Sequence, residues 1–119
     1  MTMSVVGLSI DCADAAALAG FWSEALGRPV NPGADAEHAA IDATDPASGP
    51  RLSFQKVPEP KTVKNRLHLD LRPGDQAAEV ARLVALGARL ADVGQGDVSW
   101  VVLADPDGNE FCVLKPLTP

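Results

Sequence analysis

Basic residues are scarce in this chain. Its 119 residues include 10 lysines and arginines against 16 aspartates and glutamates, a formal charge of −6 and a pI near 4.7. The long-range field of such a protein repels phosphate backbones and anionic headgroups alike, so neither nucleic acid nor a membrane surface is an expected partner. No apolar run approaches the roughly 20 residues needed to cross a bilayer. The start, Met1-Thr2-Met3-Ser4, has neither the basic residues nor the apolar stretch of a secretory signal, and a cytoplasmic protein is expected. Cysteine is limited to Cys12 and Cys112, far apart in a chain long enough to fold without disulfides, and both are read as reduced thiols. The spacings of a nucleophilic triad, a phosphate-cradling glycine loop and paired zinc Cys-x-x-Cys motifs are also missing. What is present, 46% hydrophobic and 22% charged residues, suits one domain with a single core.

A weak internal repeat organises the chain. Ala25-Leu26-Gly27 recurs as Ala85-Leu86-Gly87 and Asp45-Pro46 as Asp105-Pro106, both at an offset of 60 residues. Leu8-Ser9-Ile10-Asp11 resembles Leu67-His68-Leu69-Asp70 at an offset of 59. Three correspondences in one order point to two half-domains, about 1–60 and 61–119, joined near Pro58-Glu59-Pro60-Lys61 within one domain.

Each half opens on an alternating segment. Val6, Leu8, Ile10 and Cys12 share one strand face, with Gly7, Ser9 and Asp11 on the other; Leu67, Leu69 and Leu71 oppose Arg66, His68 and Asp70 in the same way. A helix follows each. Asp14 is an N-cap, Leu18, Phe21, Trp22 and Ala25 fall at helical spacing, and Gly27 before Pro29 is a stop; Asp75, then Val80, Leu83 and Val84, then Gly87 repeat the pattern. Further strands are expected over residues 37–43, 51–57, 98–104 and 110–114, with a short one near Leu90. Asp105-Pro106-Asp107-Gly108 reads as a hairpin turn, proline presetting one dihedral and glycine accepting a positive φ.

Each half therefore reads as βαβββ, an α+β unit whose helix covers one face of its strands and leaves the other open. A half of about 60 residues buries too little surface to be comfortably stable alone, so the two sheets are expected to pair into one curved surface with a cleft as the site.

Paired βαβββ modules, a helix with Phe21-Trp22 ending in Leu26-Gly27, and the closing Asp105-Pro106-Asp107-Gly108-Asn109-Glu110-Phe111 resemble the vicinal oxygen chelate superfamily. This superfamily includes glyoxalase I, bleomycin resistance proteins, fosfomycin resistance enzymes and extradiol dioxygenases, and the chain is most similar to its small single-domain glyoxalase-like branch. The resemblance implies an eight-stranded mixed sheet with an open cleft, helices on the outer face, and a homodimer. It also implies a divalent ion held by His, Glu or Gln from the first and last strands of each module.

Carried over position by position, His68 matches a first-strand ligand, and Cys112 falls where the last-strand Glu is expected, four residues after Gly108. The first module offers Gly7 or Ser9 on its first strand. Aligning Gly49 with Gly108 pairs Ser53 with Cys112, and only a slip of two residues brings Gln55 there. His68, with Cys112 and Gln55 as weaker partners, is the candidate metal set, short of the three sound ligands a catalytic ion needs. Cysteine suits zinc rather than magnesium or manganese.

Ordinary roles compete with each candidate. A lone His on a strand is commonly a hydrogen-bonded or binding residue, a free Cys a small buried hydrophobe, and Phe21 and Trp22 fit helix-to-sheet packing. Cys12 belongs to the core and His38 to the surface. Trp100 shares a face with Val98 and Val102, which fits the core as well as it fits stacking on a planar ligand. Asp70 and Glu110 are either solvated charges or acid–base groups, and Lys56, Lys61 and Lys64 form a positive segment around the linker.

Three functions follow. The first is small-molecule sequestration of the bleomycin-resistance kind, without the usual metal, with Ser9, Ser53, Gln55, His68, Trp100 and Cys112 lining the cleft. The second is a glyoxalase-type lyase or isomerase using His68 on an ion. In the third, a metal-independent enzyme, His68 is the catalytic general base, histidine being the side chain that ordinarily titrates near neutrality.

Overall fold

The computed structural model describes residues 2–117, so Met1 of the N-terminal stretch and Thr118 and Pro119 of the second half lie outside them. The chain divides into two compact units, one up to Pro60 and one from Lys61 onward. Both are α+β.

The first unit runs β1 (Gly7–Cys12), α1 (Ala15–Leu26), β2 (His38–Ile41), a 3₁₀ turn (Pro46–Ser48) and β3 (Arg51–Lys56). Helix α1 starts where Asp14 accepts a hydrogen bond from the Ala17 N–H and ends at Gly27, whose φ of 65° lets its N–H reach back to the Ser23 carbonyl. Strand β3 lies in the centre of a three-stranded sheet, parallel to β1 and antiparallel to β2. Alternation sends Leu8, Ile10, Cys12, Leu52, Phe54, Ala39 and Ile41 to one face, and α1 packs there. Its Phe21 and Trp22 rings meet edge to face at 5.2 Å, and Trp22, Ile41 and Phe54 are fully buried. Arg28, 5% exposed, closes this core: its guanidinium donates to the carbonyls of Ile41, Asp42, Ser48 and Pro50 and so pins the β2–β3 connection.

The second unit runs β4 (Asp70–Leu71), α2 (Gln76–Leu86), β5 (Arg89–Leu90), β6 (Val101–Ala104) and β7 (Glu110–Val113), in sheet order β4-β7-β6-β5. Asp75 caps α2 through the Ala78 N–H, and Leu83 is its buried residue. The Asp105 carboxylate, 1% exposed, accepts from the Asp107 and Asn109 N–H groups, and Gly108 at φ 92° completes the hairpin between β6 and β7.

Three expectations need correction. Among the described residues the strands number seven, three in one unit and four in the other, so the first unit is βαββ rather than βαβββ. Pro29 and Pro32 lack ladder donors and Gly33 takes a positive φ in the stretch where the missing strand would lie. The alternating segment around His68 is strand only at Asp70–Leu71, and Leu67 is 84% exposed. Upstream of Leu69 the ladder gives way to side-chain bonds, the Asn65 N–H going to Glu110 Oε1 and the Asn65 amide to the Glu110 carbonyl. Strand β6 begins at Val101 rather than residue 98, and Trp100, 40% exposed, is not core.

Candidate functional site

The face of the first sheet that α1 leaves free is polar. The parallel β1–β3 register sets Ser9 opposite Ser53 and Asp11 opposite Gln55, while β2 adds His38 beside Gln55. Gln55 Nε2 donates to Asp11 Oδ1 at 3.3 Å. Ser9, Asp11, Gln55 and His38 are exposed and Ser53 half-buried, so these hydrogen-bonding groups stand accessible on one strand ladder.

In the second unit the parallel β4–β7 register sets Asp70 opposite Cys112. His68, two residues before Asp70, brings Nδ1 to 3.1 Å from Asp70 Oδ1. Among the described residues this is a cluster of three possible ligand side chains, their donor atoms all within 4.8 Å of one another. His68 and Asp70 are exposed at 41% and 50% of their side chains, whereas Cys112 is 5% exposed. Burial pushes the Cys112 thiol above its ordinary pKa, and the Asp70 carboxylate, by its charge and by accepting the thiol's hydrogen bond, pushes the same way against a weaker opposing effect of Lys64.

The structure thus joins His68 with Cys112, and adds Asp70, a residue the sequence marked only as a solvated charge or acid–base group. Its spacing of two from His68 on an alternating segment was the available signal. Gln55 lies in the first unit, engaged with Asp11. Aligned on the last ladder bond of each parallel pair, Val57 N–H to Cys12 O and Leu114 N–H to Leu71 O, the two units place Gln55 where Cys112 stands and Asp11 where Asp70 stands. That is two residues away from the match of Gly49 with Gly108, so Ser53 is not the counterpart of Cys112 in this register. Glu110 is not free for acid–base work, being held by Lys61 and Asn65.

The divalent ion of the resemblance can be tested on these donors. One nitrogen, one oxygen and one sulfur within reach of a common centre fit a borderline ion such as zinc and are ill suited to magnesium or manganese. His68, Asp70 and Cys112 would hold it, and it would supply Lewis acidity toward a ligand oxygen.

A βαββ unit followed by a βαβββ unit, each with its first strand parallel to its last, defines a glyoxalase/bleomycin-resistance type of fold. Residues 7–114 match the glyoxalase-like domain family, and the chain belongs to that family. A glyoxalase/bleomycin resistance protein/dioxygenase family enzyme from Burkholderia phytofirmans PsJN superposes with a TM-score of 0.71 at 18% identity, covering 97% of this chain and 100% of that one. The genomically encoded fosfomycin resistance protein of Listeria monocytogenes gives 0.71 at 11% identity, covering 98% and 94%. The bleomycin-binding protein of Streptomyces verticillus, solved with copper(II)-bleomycin, gives 0.62 at 18% identity, covering 98% and 100%. No curated protein sequence matches the chain.

Proposed function

We propose that this protein, as one glyoxalase-like domain, binds a small organic molecule against the polar side chains its helices leave free, as a sequestering protein rather than through the family's usual metal site. The observation that carries it is the registered polar ladder of Ser9 opposite Ser53 and Asp11 opposite Gln55 on the helix-free face. The contacts assigned are Ser9, Ser53 and Gln55 in the first unit and His68, Trp100 and Cys112 in the second. A cytoplasmic setting, in which the two free thiols stay reduced, and a homodimer belong to the same proposal. No helix among the described residues is long and apolar enough to cross a membrane.

The test is a thermal-shift screen of planar and polar small molecules run with and without chelator, beside light scattering for the dimer. Sequestration predicts stabilising compounds whose effect is the same in both conditions. A stabilisation that disappears with chelator rejects the metal-free form.

A second function is favoured by the His68–Asp70 pair. A carboxylate 3.1 Å from Nδ1 orients an imidazole for proton abstraction, so a glyoxalase-type lyase or isomerase would use His68 as its general base or as an ion ligand. Turnover that survives chelation and fails in His68→Ala identifies the base; turnover lost in both identifies the ion.

A further inference from the structure

We propose that Gln76 is a positioning residue for the ligand site: its side-chain amide holds Trp100 in place as a stacking platform for a planar group of the ligand. Strands β6 and β7 pair from Ala104 opposite Glu110 to Val101 opposite Val113, and neither extends further in that direction. Continued in register, the ladder would set Ser99 opposite Lys115 and Trp100 between two paired residues. Trp100 stands instead one residue outside β6, 40% exposed, at the end of a loop. Two side-chain bonds of that loop, from the Val93 N–H to Gln95 Oε1 and from the Gly94 N–H to Asp92 Oδ1, are internal to it.

Gln76 takes the place of the missing pair. Its Nε2 donates to the Ser99 carbonyl at 3.0 Å and to the Val113 carbonyl at 3.1 Å. An amide nitrogen carries two N–H groups, and one on each carbonyl uses both. The acceptors are the residue before Trp100 and the residue after Cys112, so one side chain ties together the backbone beside two of the assigned ligand contacts. Gln76 is the first residue of α2, which Asp75 caps through the Ala78 N–H, and the amide is therefore carried on a fixed helix end. A backbone already ordered at Trp100 spares a stacking ligand the entropy of ordering it. This role rests on Trp100 being a ligand contact, as proposed above, whereas the tie itself does not.

Gln76 also begins a helix, and the two roles make opposite forecasts for one substitution. A glutamate in the first turn is ordinarily favourable to a helix. Were Gln76 to serve α2 alone, Gln76→Glu would keep the melting temperature and leave Trp100 undisturbed. As a clamp the variant fails, because a carboxylate has no N–H to give and faces two carbonyl oxygens.

The chain has two tryptophans, Trp22 at 2% exposure and Trp100 at 40%, so quencher-accessible emission reports Trp100, with Trp100→Phe as the blank. Wild type, Gln76→Glu and Gln76→Met, which keeps the unbranched stem without the donors, are titrated with two quenchers. Acrylamide quenches by collision, and the planar N-methylnicotinamide cation quenches by stacking on indole. In both variants acrylamide quenching of Trp100 is expected to rise and the stacking constant to fall by about three- to tenfold. Gln76→Met decides the matter if Gln76→Glu fails to fold. A stacking constant unchanged from wild type overturns the positioning role and leaves Trp100 standing as a ligand contact. A wild type that does not stack the probe removes Trp100 from the ligand contacts, and the positioning role goes with it.

Discussion

Glu110 on β7 holds Lys61 at the start of the second unit, with Oε2 2.9 Å from Nζ and both side chains at least four-fifths buried, while Oε1 accepts the Asn65 N–H at 2.7 Å. Burial by itself raises the pKa of Glu110, but the Asn65 N–H, the Lys61 hydrogen bond and the Lys61 charge outweigh it, and the net shift is downward. A folded-state value below the unfolded one stabilises the fold at neutral pH, and that stabilisation is lost as pH falls from the ordinary carboxylate range through the folded value. Glu110→Gln is expected to cost about 1.5–3 kcal/mol at neutral pH, with the gap to wild type closing on acidification. Urea unfolding across a pH series checks this, and a gap of constant size would reject the linkage.

Arg28→Ala is expected to be among the most damaging substitutions. It strips four carbonyls, those of Ile41, Asp42, Ser48 and Pro50, of a shared buried donor. A loss on the order of 3 kcal/mol follows from leaving such groups unpaired. Arg28→Lys is expected to recover little of it, because an ammonium cannot reproduce the planar fork. Chemical denaturation of both variants measures the difference.

Phe54 and Trp100 separate core from surface. Phe54 is 0% exposed, and truncation to Ala is expected to cost about 3–5 kcal/mol. Trp100 is 40% exposed, and Trp100→Ala is expected to cost about 1 kcal/mol or less while weakening any planar compound found by thermal shift. Equal destabilisation by the two would return Trp100 to the core.

Gln55→Ala and Ser53→Ala test the polar ladder. Both side chains stand on the face that α1 leaves free, so melting temperature is expected to move little while affinity for a screened ligand falls. Each lost hydrogen bond would be worth about 0.5–1.5 kcal/mol. Titration calorimetry on wild type and variants reads it, and unchanged affinity in both removes the ladder from the binding site.

Asp14→Ala and Asp75→Ala each delete a helix cap made by one carboxylate on an N–H three residues on. About 1 kcal/mol apiece is expected, additive because the caps share no partner. A double variant in thermal unfolding checks the sum.

Local chemistry made much of the fold readable. Asp14 and Gly27, like Asp75 and Gly87, bound helices through caps that need only neighbouring backbone, and Asp105-Pro106-Asp107-Gly108 carries its turn in its own dihedral preferences. Alternation in residues 6–12 told the faces of β1 apart, and buried Cys12 lies on the apolar one. The same pattern over-read the segment at Leu67, where a period of two was present without a partner strand to pair with. Arg28 gave no sign of its burial, because its acceptors are carbonyls more than a dozen residues away.

The sequence by itself determined where helices start and stop, which strand faces are apolar, the repeat and the family resemblance, since these rest on interactions within a few residues or on recurring order. Tertiary structure alone decided that Asp70 stands opposite Cys112 and Asp11 opposite Gln55. Residues more than 40 positions apart are brought together by strand register, and register follows from how the intervening loops and helix close. A one-residue slip exchanges the faces, and a two-residue slip exchanges Ser53 for Gln55, so the donors that can meet are settled only when the sheet is formed.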